Sequence, residues 1–123
     1  MRRFLSLVVF LAVACASQDA MTLDGTKWTL DGSPAITLQF ADGRISGSGG
    51  CNQYHATYTA SGSTLTFGPI AATKRACLED DRNRGEVAYF EALSKVASYF
   101  ATADRLTLRD AAGAVLLEFT RQT

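Results

Sequence analysis

The residues of this chain best suited to chemistry are its three cysteines and its single histidine. Cys51, His55 and Cys77 could in principle bind zinc through two thiolates and one imidazole. Three ligands make a poor closed zinc site, and two cysteines exported to an oxidising compartment can instead form a disulfide. We therefore expect a Cys51–Cys77 disulfide, the alternative being a reduced buried pair, and we expect neither a metal nor a cofactor.

Nucleophilic catalysis has little support in the sequence. His55 is the only candidate base, and strand alternation puts it on the face opposite Tyr54 and Tyr58, which predicts a solvent-facing side chain. The chain has no Gly-x-Ser-x-Gly elbow, and nothing identifies a serine or aspartate partner for His55. We predict no catalytic residues and no enzymatic activity.

The glycine-rich string 47–52 is the most unusual local motif. Glycine-rich loops can bind phosphate through backbone amides, but those loops open a helix, whereas this one leads into an alternating strand. We expect a sharp backbone corner, with Asn52 fixing it through hydrogen bonds to neighbouring backbone groups. The acidic run 79–81 could hold a metal, but carboxylates at the start of a helix are favoured by the helix dipole, and we prefer that explanation.

The N-terminus has the features of an export signal. Arg2 and Arg3 precede a short apolar run that ends in small residues, which predicts a signal peptide at residues 1–14. The segment Ala12–Cys15 resembles a lipobox, so we predict that Cys15 is acylated and becomes the first residue of the mature chain. The alternative is an ordinary cleaved signal.

The predicted acylation also indicates a location. Ala16 follows the cysteine where an aspartate would favour inner-membrane retention, so we expect an outer-membrane lipoprotein facing the periplasm, the alternative being a soluble periplasmic protein. Residues 15–22 would form a lipidated tether, and residues 23–123 one folded domain. Lys+Arg 12 balance Asp+Glu 12 without clustering, so nucleic acid is not an expected partner.

Hydrophobic periodicity predicts an α+β domain. Residues 26–67 alternate with period two and are divided by Gly-containing turns, which indicates an antiparallel meander. Between Glu79 and Ala101 the apolar spacing becomes three and four, which indicates one amphipathic helix, with Asn83 and Glu86 as its capping box. Strand alternation then returns. We predict a small antiparallel open β-barrel or strongly curved sheet of about seven strands packed on that helix. Five aromatic side chains are expected in its core: Tyr54, Tyr58, Phe67, Phe90 and Phe100.

A set of short motifs, in a fixed order, resembles the META domain, the family of the bacterial heat-shock lipoprotein HslJ. The motifs are Gly-Gly-Cys-Asn-x-Tyr, Phe-Gly-Pro and Ala-Cys, and the positions that carry the resemblance are Gly49, Gly50, Cys51, Asn52, Tyr54, Gly68, Pro69 and Cys77. The resemblance spans about Leu23 to Phe119. It implies a barrel-like fold, an envelope location and a link to stress tolerance, and it implies no active site.

Together these features predict a non-enzymatic bacterial envelope lipoprotein that acts by binding, in envelope stress tolerance or maintenance. Its expected contacts are the membrane, through N-terminal acyl chains, and an envelope protein or lipid ligand. The alternative is a lipid- or secretin-binding pilot-type lipoprotein, with an apolar cavity between the sheet and the helix bearing Phe90 and Phe100. The sequence does not predict the oligomeric state.

Overall fold

A computed structural model describes residues 22–122 of the chain. The predicted signal peptide, Cys15 and nearly all of the predicted tether therefore lie outside the described residues. The described part contains nine strands and one helix, whose bounds are β1 Lys27–Leu30, β2 Thr37–Ala41, β3 Arg44–Ser48, β4 Gln53–Ser61, β5 Thr64–Phe67, β6 Ala71–Ala72, α1 Asp80–Ser94, β7 Ser98–Ala101, β8 Arg105–Arg109 and β9 Val115–Arg121.

Eight of the strands close an antiparallel barrel. The order around it is β3-β2-β1-β9-β8-β7-β5-β4, and β4 pairs back onto β3 from Arg44↔Thr57 to Ser48↔Gln53. The short strand β6 pairs outside this ring with the start of β4. The predicted α+β fold is confirmed. The barrel is closed rather than open, and the nine strands of the sheet exceed the expected seven by β6 and β7.

Strands β5 and β7 share the fewest paired residues of any two neighbouring strands in the barrel. A single pair, Thr64↔Ser98, joins the two strands. Two flanking bonds support it, from Leu65 N–H to the Ala97 carbonyl at 3.1 Å and from Tyr99 N–H to the Ser63 carbonyl at 2.9 Å. Ala97 belongs to the short connection between α1 and β7, so this connection helps to complete the barrel wall.

The predicted end of the helix was wrong. The apolar spacing suggested a helix as far as Ala101, but α1 ends at Ser94 and the chain becomes strand again at Ser98. Phe100 lies on β7 and is 65% exposed, so it is not a core residue. The aromatic residues Tyr99 and Phe100 favour a strand, and together with pairing to β8 this preference outweighs the helical spacing.

Side chains fill the barrel interior. The inward residues of opposite strands meet in a closely packed core, as the alternation predicted. The largest fully buried side chains are Trp28, Phe40, Phe119, Leu38, Ile45, Leu65, Leu93, Leu106 and Leu108. The helix contributes Tyr89 and Leu93 to this core, and the Tyr89 ring lies 5.6 Å from that of Tyr54 and 6.4 Å from that of Phe119, centroid to centroid.

Candidate functional site

A buried polar network centres on Asn52, immediately after the glycine corner. Asn52 is only 6% exposed, and both ends of its amide are used. Its Oδ1 accepts from Thr73 Oγ1 at 2.9 Å and from Arg75 N–H at 2.6 Å. Its Nδ2 donates to the Arg75 carbonyl at 3.0 Å and to Glu86 Oε1 at 2.6 Å. The side chain therefore bridges the corner, the segment after β6 and helix α1.

Glu86 is the second centre of this network. Its Oε2 accepts from the backbone N–H of Cys51 at 3.0 Å and of Asn52 at 2.5 Å, and its side chain is 7% exposed. Three N–H donors therefore surround one buried carboxylate, the condition under which a buried anion is tolerated. The Glu86 side chain thus links helix α1 to the glycine corner.

The predicted capping box was therefore wrong. The helix begins at Asp80 with Glu79 at the N-cap, four residues before the expected N-cap Asn83. Asn83 lies within the helix, where it accepts from Cys77 N–H at 3.1 Å and donates to the Cys77 carbonyl at 2.9 Å. Helical spacing could have predicted that Glu86 faces the barrel, because Glu86 begins the buried stripe that continues with Tyr89 and Leu93.

The two glycines of the corner make this approach of helix and loop possible. A Cβ on Gly49 would lie 2.7 Å from Glu86 Oε2 and 2.8 Å from the Phe90 ring. Gly50 has φ +104°, a conformation that side chains disfavour. The close approach explains why the string 47–52 is rich in glycine without any phosphate to bind.

The predicted Cys51–Cys77 disulfide is present. The two Cα atoms are 5.8 Å apart, and the bond closes a sequence separation of 26 residues. Each cysteine is also tied to α1 through its backbone, Cys51 by Glu86 and Cys77 by Asn83. The bond therefore joins two segments that the same helix already holds.

Tyr54 follows the corner on β4 and points inward. Its hydroxyl donates to the Thr37 carbonyl at 2.7 Å and lies 2.6 Å from the Tyr89 hydroxyl. Burial is the main cause that raises the pKa of both tyrosines above their ordinary value. Both hydroxyls therefore stay protonated at neutral pH and act as hydrogen-bonding groups of the core.

Gly68 and Pro69 lie between β5 and β6, away from the Asn52 network. Gly68 N–H donates to the Thr57 carbonyl at 2.9 Å, and a Cβ on Gly68 would collide with Thr57 Oγ1. Pro69 is exposed beside it. This part of the motif therefore brings the backbone close to β4 and takes no part in a polar site.

The remaining sequence candidates do not converge. His55 is exposed on β4, between Ser46 on β3 and Ala71 on β6. The sulfurs of Cys51 and Cys77 are bonded to each other, and residues 22–122 contain no group of three His, Cys, Asp or Glu that could hold a metal ion. Within the same range, no helix is long and apolar enough to cross a membrane.

Comparison with known proteins points to one family. The family model of the META domain matches residues 16–123. No curated protein matches the chain. An NMR structure of a protein from Burkholderia xenovorans is similar at 25% identity and TM-score 0.68, covering 88% of this chain and 97% of that one. A second NMR structure has 26% identity and TM-score 0.62, with coverage of 80% and 90%.

A more distant likeness shows the fold alone. The crystal structure of a DUF4847 family protein from Bacteroides vulgatus is 23% identical with TM-score 0.53, and the match covers 72% of this chain and 62% of that one.

Proposed function

Because the chain belongs to the META domain family, we propose that it is a non-enzymatic bacterial envelope lipoprotein that contributes to stress tolerance by binding. In this proposal acylated Cys15 holds the protein at the outer membrane, and the barrel faces the periplasm. The observation that carries the proposal is the Cys51–Cys77 disulfide, because structural disulfides persist in oxidising compartments such as the periplasm.

Two features of the described residues support a binding role over catalysis. The buried polar groups Asn52 and Glu86 are satisfied by one another and by backbone, so they offer no unpaired group to a substrate. His55 is exposed on β4 between Ser46 and Ala71. Among residues 22–122 its imidazole makes no hydrogen bond to the Ser46 hydroxyl or to an acid, so no nucleophile is activated there.

The interior packing weighs against a ligand inside the protein. Where α1 meets the barrel, the Tyr89 and Phe90 rings lie against that of Tyr54, with centroids 5.6 and 5.4 Å away, and Leu93 is fully buried. Phe100, which was expected to line a cavity there, lies on the barrel exterior. An apolar ligand between sheet and helix would have to displace these side chains, so we place recognition on the outer surface.

Complementation tests the proposed role. In a strain lacking the protein, we expect the wild-type chain and His55→Ala to restore survival of heat and detergent stress equally, since His55 is the only histidine. We expect Cys15→Ala to fail although it folds, because it lacks the anchor. Loss of complementation by His55→Ala with unchanged stability would contradict the non-enzymatic role.

Native mass spectrometry of the protein extracted from its own membrane tests the binding role. A bound envelope protein supports recognition on the outer surface. A single phospholipid retained after the acyl anchor is accounted for would instead support the pilot-type alternative and overturn our proposal.

A further inference from the structure

Helix α1 carries an exposed stripe opposite its buried side. Glu86, Tyr89 and Leu93 face the barrel, so residues on the other side face solvent. At 3.6 residues per turn, five exposed residues of α1 and the exposed C-cap residue Lys95 fall within an arc of about 100°. We call these residues the outer stripe: Asp80, Arg84, Val87, Ala88, Glu91 and Lys95.

The charges of the outer stripe are arranged symmetrically with opposite signs. With a rise of about 1.5 Å per residue, Arg84 and Glu91 each lie about 5 Å along the axis from the midpoint between Val87 and Ala88. Asp80 and Lys95 each lie about 11 Å from the same point. Reversing the direction of the helix therefore exchanges each charge with its opposite.

The charged residues of the outer stripe do not form the intrahelical ion pairs that their spacing suggests. Asp80 and Arg84, and likewise Glu91 and Lys95, are four residues apart, the spacing of intrahelical ion pairs. Among residues 22–122 neither pair forms, and Glu91 and Lys95 make no ion pair within 4 Å. Arg84 contacts Asp81 instead. Both side chains are exposed, so replacing this ion pair by another one costs little free energy.

The centre of the outer stripe is apolar. Val87 is 59% exposed, and Ala88 beside it is small enough to let another helix approach closely. Together with Arg84 and Glu91 they line a shallow groove along the helix. The stripe thus has an apolar middle flanked by charges of opposite sign.

We propose that the outer stripe is a homodimer surface, on which α1 of a second copy of this chain packs antiparallel. In this arrangement Val87 and Ala88 lie at the two-fold axis, Arg84 faces Glu91 of the second copy, and Asp80 faces its Lys95. Each charged pair is made twice, as the symmetry of an isologous contact requires. One helix face per subunit buries less than a standard interface, so the dimer is weak and reversible.

Crosslinking of the full chain in living cells tests the proximity of the two helices. We expect Ala88→Cys, treated with a short bismaleimide, to give a crosslinked dimer, because this position lies beside its own copy. The matched control is Ser46→Cys, which is exposed on the barrel wall. The wild-type chain, treated in the same way, shows how much crosslinking occurs without an added cysteine. Equal yields from Ala88→Cys and Ser46→Cys would contradict the proposal.

Charge reversal tests which residues face each other. In sedimentation of the purified full chain, Arg84→Glu and Glu91→Arg should each weaken self-association by about tenfold, because each replaces two attractive pairs by two repulsive ones. The double variant Arg84→Glu/Glu91→Arg should recover most of the wild-type affinity. Circular dichroism confirms that each variant is folded. Self-association that is absent in the wild type, or unchanged by the single reversals, would overturn the proposal.

Discussion

At the scale of single residues, the fixed geometry of the glycine corner depends most on Asn52. Its amide makes four hydrogen bonds with groups that are more than 20 residues away in sequence. Local sequence reasoning predicted that Asn52 fixes the loop but assigned it neighbouring backbone partners. The actual partners, on Thr73, Arg75 and Glu86, are brought together only by the fold, and no local pattern contains them.

We predict that Asn52→Ala destabilises the protein by about 2–3 kcal/mol. The substitution leaves one buried oxygen of Glu86 and the part-buried Arg75 N–H without partners, and an unsatisfied buried group costs about 1–3 kcal/mol. Urea denaturation measures the change. The control is Gln53→Ala at the exposed neighbouring position, where less than about 0.5 kcal/mol is expected. Equal stabilities for the two variants would show that the Asn52 network contributes little.

A second residue-scale prediction concerns Asp31 on the barrel surface. The Arg105 guanidinium, 2.6 Å away, is the first cause that lowers the pKa of this carboxyl, and Thr120 adds a hydrogen bond at 2.7 Å. A carboxyl whose pKa is lower in the folded state stabilises the fold above its ordinary pKa, and this contribution is lost as the pH falls toward the lowered value.

Thermal melting of Asp31→Asn tests this dependence. We expect the variant to melt below the wild type at about pH 7 and the difference to be smaller at about pH 2, because the ion pair is lost as the carboxyl becomes protonated. Arg105→Gln should show the same pH dependence, since it removes the same pair. A difference in melting temperature that is equal at both pH values would contradict the assignment.

At the scale of elements, the segment 73–79 has no regular structure and is held by side chains and by the disulfide. Asn52 contacts it at Arg75, Asn83 contacts it at Cys77, and Cys77 is bonded to Cys51. Because these noncovalent contacts do not depend on the bond, we expect the barrel to fold without the disulfide.

We predict that Cys51→Ser/Cys77→Ser lowers the free energy of unfolding by about 2–4 kcal/mol and preserves the fold, since the bond closes a loop of 26 residues. Urea denaturation and circular dichroism measure the two effects. Thiol titration of the unreduced, denatured wild-type chain provides the control. Detection of the Cys51 and Cys77 thiols as free would refute the bond.

The elements that could be predicted from sequence are those whose hydrophobic pattern is long or is bounded by turn residues. Asp42-Gly43 between alternating residues predicts the hairpin of β2 and β3, and both residues have positive φ there, as a two-residue hairpin turn requires. Strand β6 is only two residues long, too short for any periodicity. Strand β7 was missed because Phe100 continues the helical spacing by coincidence.

The outward position of Phe100 gives a prediction for β7. Phe100→Ala should cost less than about 1 kcal/mol, whereas Leu106→Ala, on the adjacent strand and fully buried, should cost about 2–5 kcal/mol. Denaturant unfolding of the two variants measures the contrast. A loss of stability for Phe100→Ala as large as that for Leu106→Ala would contradict the outward position of Phe100 on β7.

At the scale of the whole molecule, the barrel is a filled scaffold with its polar network satisfied internally. Closure between β3 and β4 removes the sheet edges of the ring, and the short β6 leaves little edge for another strand to extend. For this reason our proposal places recognition on the outer surface of the barrel. In our proposal the N-terminal tether fixes the barrel to a membrane, so anchoring and binding belong to separate parts of the chain.

Intact mass spectrometry of the protein extracted from the membrane fraction, without reduction, tests the proposed anchoring most directly. We predict a chain that begins at Cys15, carries covalent acyl chains and is two hydrogens lighter than its reduced form because of the Cys51–Cys77 bond. The variant Cys15→Ala should be absent from the acylated species. A mature chain that begins at Ala16 or later, carries no acyl group and is recovered in the soluble periplasmic fraction would contradict the account.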